Sequence, residues 1–266
     1  MMRWCLVMLF CGFGLVAAAH EATVPTPGGQ EAAPEEGNPR TVLALARLDS
    51  LAIAAPGRVT GLAWIGSDTL AVLVVRDGIV TAGGRPEARL VLQDRRGAVL
   101  RDEDVTGVLD RGLAWDGRDL WSCGDVDGGA SLLYRLEPVL LAVRASYPTA
   151  GHRPAGVCHD GRFLWLTDRD SGRLDRFDPE LGEITRSTPT PAFSPCGVAW
   201  DGRRLWLTDV GTGRLYRLSG SRRAWSGTVA PADFRRRAQV VHLAHDGHDL
   251  WYLPEGSRWL VRVRIL

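Results

Sequence analysis

The chain has 266 residues and a formal net charge of +1, with 32 basic against 31 acidic side chains, and 45% of its residues are hydrophobic. This hydrophobic fraction is sufficient for a folded core, whereas the near-zero net charge excludes a strong electrostatic attraction to nucleic acid or to acidic membranes. All 32 basic residues are arginine, which excludes Schiff-base catalysis, lysine-linked pyridoxal phosphate and Walker-type phosphate loops.

Residues 1–19 have the pattern of a secretory signal. A positive start at Arg3 precedes an apolar run over 5–16, and three alanines then supply an A-x-A-like cleavage site. The apolar run is shorter than the roughly 20 residues that span a bilayer, so we predict cleavage and no membrane span after it. The alternative is a lipoprotein attached at Cys11, although the bulky Phe10 before it fits such a site badly.

Residues 20–40 are rich in proline, glycine and glutamate. Such a segment cannot bury a core, so we predict a disordered linker. A signal followed by a linker, in a chain rich in arginine and alanine as GC-rich bacterial genomes encode, predicts a periplasmic or extracellular location.

From residue 41 onward the chain repeats one pattern. An apolar run reaches a glycine turn, usually Asp-Gly, and a second run follows, usually with Leu-Trp at its start. A further turn with glycine then leads to a third run, and a fourth run precedes the next copy. The runs alternate with a period of two, as strands do, and Asp-Gly predicts a tight hairpin turn with two positive φ angles. The copies lie at 61–74, 112–121, 156–177, 197–218 and 242–263.

Four antiparallel strands in each period of roughly 40–50 residues are typical of a propeller blade. We therefore predict an all-β fold, a five-bladed β-propeller with four strands per blade, over residues 41–266. The last copy ends after three strands, so we expect a strand within 41–53 to complete that blade and tie the chain ends together. The predicted blades are 61–107, 108–150, 151–192, 193–236, and 237–266 with 41–53.

Three cysteines follow the signal, at positions 123, 158 and 196. An odd number leaves at least one free thiol in an oxidising compartment. Cys158 and Cys196 fall in the first strands of neighbouring blades, so a disulfide between them is one interpretation. Buried apolar side chains are the other, and we favour it.

Aromatic residues and histidines recur at fixed positions of the repeat. One position carries Trp64, Trp115, His159, Trp200 and His245, and a second carries Trp121, Trp165, Trp206 and Trp251. The second set is expected to pack between blades, whereas the histidines interrupt the first set and make His159 a candidate ligand residue. His242 and His245 point to opposite faces of a strand because their separation is odd, whereas His245 and His248 could meet across the hairpin turn between them. Two imidazoles without a third ligand make a weak site, so we predict no metal.

Acidic residues follow the second strand of several copies, notably Asp168 and Asp209, with Asp125 and Glu255 at comparable places. They are candidates to line the mouth of the channel and contact a ligand. The alternative is that they accept backbone N–H groups of the following turn, and their recurrence favours it.

The loops that lead into the first strands differ between copies, and four of them contain arginine: Arg58, Arg111, Arg153 and Arg237. In a propeller these loops share one face, where ligands bind over the axis. Because the arginine guanidinium suits carboxylate and phosphate groups, these residues predict a site for a small anionic ligand, or for a peptide or protein. Ordinary surface arginines are the alternative.

The phrase GVAWDGRRLWLTDVGTGRLYRL at 197–218, with its copies, resembles the extracytoplasmic propellers of the NHL-repeat, streptogramin-lyase-like and glutaminyl-cyclotransferase-like group. The resemblance spans most of 61–266 and lies in residues that build blades. It implies a secreted propeller. For the glutaminyl-cyclotransferase-like members it further implies cyclisation of an N-terminal glutamine, with acidic residues around the central pocket.

The leading hypothesis is a secreted or periplasmic binding or interaction module with its site over the central channel, without a cofactor. The alternative is an enzyme of the glutaminyl-cyclotransferase-like or another propeller-type lyase or hydrolase kind. A third possibility is a structural domain displayed by the linker. No G-x-S-x-G motif and no local pairing of Ser or Cys with His supports nucleophilic catalysis.

Overall fold

A computed structural model of the chain describes residues 45–81, 84–125, 131–151, 153–219, 224–229 and 240–265. These residues form twenty β-strands and no helix, so among them no helix exists that could cross a membrane. The predicted signal and linker, residues 1–19 and 20–40, lie outside the described residues.

The strands form five antiparallel sheets of four strands each, which confirms the predicted five-bladed propeller. Blades 1 to 4 each use four consecutive strands, and blade 5 uses the last three strands together with the first. Blade 1 contains β2 (Arg58–Ile65), β3 (Thr69–Val80), β4 (Pro86–Asp94) and β5 (Val99–Asp104). Blade 2 contains β6 (Arg111–Trp115), β7 (Leu120–Asp125), β8 (Ser131–Leu136) and β9 (Val143–Pro148). Blade 3 contains β10 (Pro154–His159), β11 (Leu164–Asp168), β12 (Arg173–Asp178) and β13 (Glu183–Pro189). Blade 4 contains β14 (Pro195–Trp200), β15 (Leu205–Asp209), β16 (Arg214–Ser219) and β17 (Ala224–Val229). Blade 5 contains β18 (Val240–His245), β19 (Leu250–Pro254), β20 (Trp259–Ile265) and β1 (Leu45–Ala52).

The N-terminal strand closes blade 5 as the sequence predicts. β1 pairs antiparallel with β20, from Leu45 opposite Ile265 to Ala52 opposite Trp259. Leu51 and Ile53 are buried in one apolar cluster with Leu260. The pairing supplies the fourth strand of blade 5 and joins the first described strand to the last.

The core lies between the blades. One buried cluster joins Trp121 of blade 2 to Leu166 and Phe177 of blade 3, and another joins Trp206 of blade 4 to Tyr252 of blade 5. The first strands of successive blades (β2, β6, β10, β14 and β18) contact one another in a ring, so they surround the axis.

Glycine in the first strands allows this ring to be narrow. A Cβ on Gly197 of blade 4 would lie 2.8 Å from the Val241 carbonyl oxygen of blade 5, closer than side chains tolerate. Thr208 beside it accepts from the Gly197 N–H at 2.6 Å and donates to the same Val241 oxygen at 3.1 Å. Thr167 makes the equivalent bridge from Gly156 to Cys196, between blades 3 and 4. Backbone of one blade therefore rests directly on backbone of the next.

The Asp-Gly turns between the first and second strands of blades 2 to 5 share a set of hydrogen bonds that the sequence did not predict, called the clamp below. The aspartate binds two turn N–H groups through Oδ1 and the indole N–H of the following Leu-Trp through Oδ2. The indole bonds are 2.6–2.9 Å long, in the pairs Asp116–Trp121, Asp160–Trp165, Asp201–Trp206 and Asp246–Trp251. Packing between blades was the right prediction for the second aromatic set, since Trp121 and Trp206 lie in the buried clusters described above. The hydrogen bond to aspartate is an additional role of these tryptophans.

The prediction of a turn with two positive φ angles was wrong. In blade 4, for example, Trp200 pairs with Leu205, so four residues form the loop, and the Asp201 N–H donates to the Arg204 carbonyl oxygen. Gly202 has a φ of 88°, whereas Asp201 is not among the residues with positive φ. The aspartate carboxylate stabilises the wider turn by accepting its N–H groups.

Candidate functional site

A cavity of about 690 Å³ lies at one end of the axis, where the first strands begin. One residue from the same place in each first strand lines it: Thr60, Arg111, Ala155, Cys196 and Val241. Arg58, the first residue of β2, and Arg153, directly before β10, line the same cavity. The structure thus brings together three of the four predicted arginines, and Arg237 lies outside the described residues.

These three arginines each have a carboxylate nearby. Arg58 binds Asp77 at 3.0 Å, Arg111 binds the adjacent Asp110 at 2.9 Å, and Arg153 lies 3.7 Å from Asp170. The Arg58 and Arg153 pairs are more than half exposed. Exposed ion pairs of this kind are worth less than about 1 kcal/mol, so a ligand can compete for these guanidinium groups.

Two further arginines line the cavity, and sequence reasoning missed both. Arg169 follows β11, and its Nε donates to Ser194 Oγ at 3.1 Å. Arg258 in the turn before β20 donates to backbone carbonyl oxygens, including that of Ile53 at 3.2 Å. Among the described residues neither arginine has a carboxylate partner. The sequence did contain a signal for Arg169, because this residue directly follows Asp168, one of the aspartates that recur after the second strand.

Asp168 and Asp209 hold turns rather than face the cavity. Asp168 is buried and accepts from the N–H groups of Arg153 and Ser171 at 2.9 and 2.8 Å. Asp209 is buried and accepts from the N–H groups of Ser194 and Gly211 at 3.0 and 2.9 Å. The structure therefore supports the turn role of these aspartates, and neither lines the cavity.

The pKa values of these two aspartates follow from the same contacts. Burial alone raises the pKa of a carboxyl group. In Asp168 and Asp209 the hydrogen bonds from hydroxyl and N–H groups outweigh burial, so both pKa values lie below the ordinary one. Both carboxylates are consequently charged near neutral pH and are occupied by the turns they hold.

Glu255 takes a different position from the one predicted. Val240 pairs with Pro254 as Pro154 pairs with Asp168, so Pro254 is the counterpart of Asp168 and Glu255 is the counterpart of Arg169. Glu255 lines the cavity and has no hydrogen bond or ion pair within the described part of the chain. With Asp110 it is one of two acids among the described lining residues, against five arginines.

His242 lies where the other four first strands have glycine, and it fills the seam between blades 5 and 1. Its imidazole is buried and lines the cavity. Because a carbonyl oxygen only accepts, Nε2 is the donor to the Val59 oxygen at 2.9 Å. Burial lowers the pKa of His242 to about 4 despite this bond, and Arg58 and Arg169 act in the same direction as burial. The ring is therefore neutral near pH 7.

None of the three cysteines that follow the predicted signal forms a disulfide. Cys123, Cys158 and Cys196 are all buried. Cys158 and Cys196 are therefore not joined by a disulfide, and the favoured interpretation of both as buried apolar side chains is confirmed. Burial raises the pKa of Cys196, the one at the cavity, to about 11. Its sulfur stays protonated near neutral pH and is a poor nucleophile.

His159 lies at the other end of the channel from the arginines. It is the last residue of β10, whereas Arg153 directly precedes that strand, and six extended residues separate the two ends by about 20 Å. A smaller cavity of about 70 Å³ is lined there by the predicted first set, Trp64, Trp115, His159, Trp200 and His245. No group of three metal-binding side chains is found among the described residues.

No protein-family profile and no curated protein matches the sequence. Solved structures match the fold. Myxococcus xanthus glutaminyl cyclase has a TM-score of 0.64 at 12% identity, over 84% of this chain and 97% of that one. A luciferin-regenerating enzyme has a TM-score of 0.53 at 18% identity, over 81% and 94%. Virginiamycin B lyase from Staphylococcus aureus has a TM-score of 0.50 at 11% identity, over 84% and 100%. At these identities the similarity shows the β-propeller fold alone.

Proposed function

We propose that the chain is a binding module for a small anionic ligand, which it holds in the axial cavity. The observation that carries this proposal is the charge of the lining: five arginines against two acids, in a chain whose total charges nearly balance. Concentrating one sign of charge in a concave site raises the local concentration of oppositely charged ligands.

The size of the cavity favours a small molecule over a protein partner. Its volume of about 690 Å³ falls within the roughly 300–1,000 Å³ of small-molecule sites. Apolar Cys196, Val210 and Val241 form part of its wall, so a ligand with some aliphatic surface gains from burial there. Arg169 supplies a guanidinium that no carboxylate neutralises among the described residues.

Isothermal titration calorimetry with citrate and inorganic phosphate tests the proposal, with glycerol as the uncharged comparison. We expect saturable binding of at least one anion and none of glycerol. Arg169→Gln should weaken anion binding about tenfold or more, whereas Arg186→Gln, at an exposed position of β13, should leave it unchanged. Absence of saturable anion binding, or equal losses in both variants, would sink the proposal.

The enzyme alternative has one specific feature in its favour. Glu255 is an acid at the cavity without a partner in the described part of the chain, and cyclisation of an N-terminal glutamine needs a group that moves protons as the amine displaces ammonia. The test is incubation with a glutaminyl dipeptide, with mass spectrometry to detect loss of ammonia. Turnover that Glu255→Gln abolishes would support the enzyme, and no turnover rejects it while leaving the binding proposal intact.

A further inference from the structure

Three successive blades carry side chains of different character at one equivalent position of the cavity wall. The position is the residue that directly follows the second strand: Arg169 in blade 3, Val210 in blade 4 and Glu255 in blade 5. From blade 3 to blade 5 the wall therefore presents a cationic, an apolar and an anionic side chain in turn.

An apolar shelf lies in the wall of the same cavity. Ala155, Cys196 and Val210 form one buried cluster, against which Val241 packs, and all four line the cavity. They come from blade 3, which carries Arg169, from blade 5, which carries Glu255, and from blade 4 between the two. This part of the wall suits an aliphatic body.

Neither charge is neutralised by a partner within the described residues. Within these residues the Arg169 guanidinium donates to the neutral hydroxyl of Ser194, and the Glu255 carboxylate has no hydrogen bond or ion pair. Both act on the Cys196 thiol of the shelf: burial dominates its pKa, the Arg169 charge lowers that pKa and the Glu255 charge raises it. The two opposite charges thus lie within electrostatic reach of the same apolar surface and still do not bind each other.

We propose that the site takes a zwitterionic ligand of amino-acid type. The ligand carboxylate binds the Arg169 guanidinium, its aliphatic body lies on the shelf, and its ammonium group binds the Glu255 carboxylate. This inference rests on the proposed function, since it names the class of anion that the cavity holds. A simple anion satisfies the arginine side of the cavity, whereas a zwitterion satisfies both charges.

Calorimetric titration with matched ligands tests the inference. The ω-amino acids 4-aminobutyrate and 6-aminohexanoate are compared with butyrate and hexanoate, which lack the amine, and with hexylamine, which lacks the carboxylate. An exposed ion pair adds up to about fivefold in affinity, so we expect at least one amino acid to bind about two- to fivefold more tightly than its deaminated analogue. Hexylamine should bind more weakly than that amino acid.

Variants assign the effect to the named residues. Glu255→Gln should equalise the affinities for the amino acid and its deaminated analogue, and Arg169→Gln should weaken binding of both. Glu183→Gln, at an exposed position of β13, is the matched control and should change neither. Thermal melting confirms that each variant is folded.

Two failures are distinguishable. If the carboxylates bind through Arg169 but the amine adds nothing, or its contribution survives in Glu255→Gln, the zwitterion inference is overturned and the anion site stands. If neither these carboxylates nor citrate and phosphate bind, the proposed function falls together with the inference.

Discussion

The Asp201–Trp206 clamp of blade 4 allows a quantitative test of what holds the blades. Asp201 accepts from the N–H groups of Arg203 and Arg204 at 2.8 and 2.6 Å, and from the Trp206 indole at 2.7 Å. Trp206 is completely buried. Asp201→Ala therefore leaves a buried indole N–H without an acceptor, which costs about 1–3 kcal/mol, and removes two turn hydrogen bonds worth about 1 kcal/mol together. We expect the free energy of unfolding to fall by about 2–4 kcal/mol.

A double-mutant cycle isolates the indole contribution. Trp206→Phe removes the N–H donor and keeps an aromatic ring, so Asp201→Ala should cost about 1–2 kcal/mol less in that background than in the natural chain. Urea unfolding followed by far-UV circular dichroism measures the four stabilities. Glu183→Ala, an exposed carboxylate of β13, is the control and should change stability by less than about 0.5 kcal/mol. An Asp201→Ala cost that is the same in both backgrounds would refute the clamp as the source of the stability.

Three other predictions concern the close blade contact, the seam histidine and the N-terminus. Gly197→Ala should lower stability by about 1–3 kcal/mol in urea unfolding, because the new Cβ would lie 2.8 Å from the Val241 oxygen; an unchanged midpoint would contradict the packing described. Burial lowers the pKa of His242 to about 4, whereas an unfolded histidine titrates near 6.5, so the unfolded chain binds the proton first on acidification. Stability should be full above about pH 6.5 and fall by about 3 kcal/mol toward pH 4, and His242→Gln should flatten this slope; an equal slope in that variant would rule out His242 as its cause. N-terminal sequencing of the exported chain should begin at His20, and an intact Met1 would contradict the predicted cleavage.

The predicted signal, linker and location concern residues beyond the described part of the chain, and they stay predictions. The contribution of the sequence is clearest in the blades. Period-two alternation, the recurrent Asp-Gly and the missing fourth strand of the last copy predict five blades closed by the N-terminal strand, and the pairing of β1 with β20 confirms it. These features could be predicted because they are local or repeated. The alternation within a segment predicts a strand, and comparison of one copy with the next shows which strand the last copy lacks.

The residues that line the cavity could be predicted only in part from the sequence. The differing loops pointed to Arg58, Arg111 and Arg153, and these line one cavity. The recurrence of Asp168 favoured its role in the turn, which its hydrogen bonds confirm, but the sequence did not show that Glu255 is the counterpart of Arg169. That equivalence depends on strand register across the hairpins, where Pro254 takes the place of the aspartate.

By itself the sequence determined the ring of blades, because each blade's strands and turns are specified by residues close to one another along the chain. Only the tertiary structure decided which side chains meet at the axis. Arg169 belongs to blade 3 and His242 and Glu255 belong to blade 5, and their common place at the cavity arises from the packing of first strands around the axis rather than from any spacing along the chain. The same packing fixed the protonation of two groups at the cavity: His242 is neutral because the seam between blades 5 and 1 buries it, and the Cys196 thiol stays protonated because burial raises its pKa.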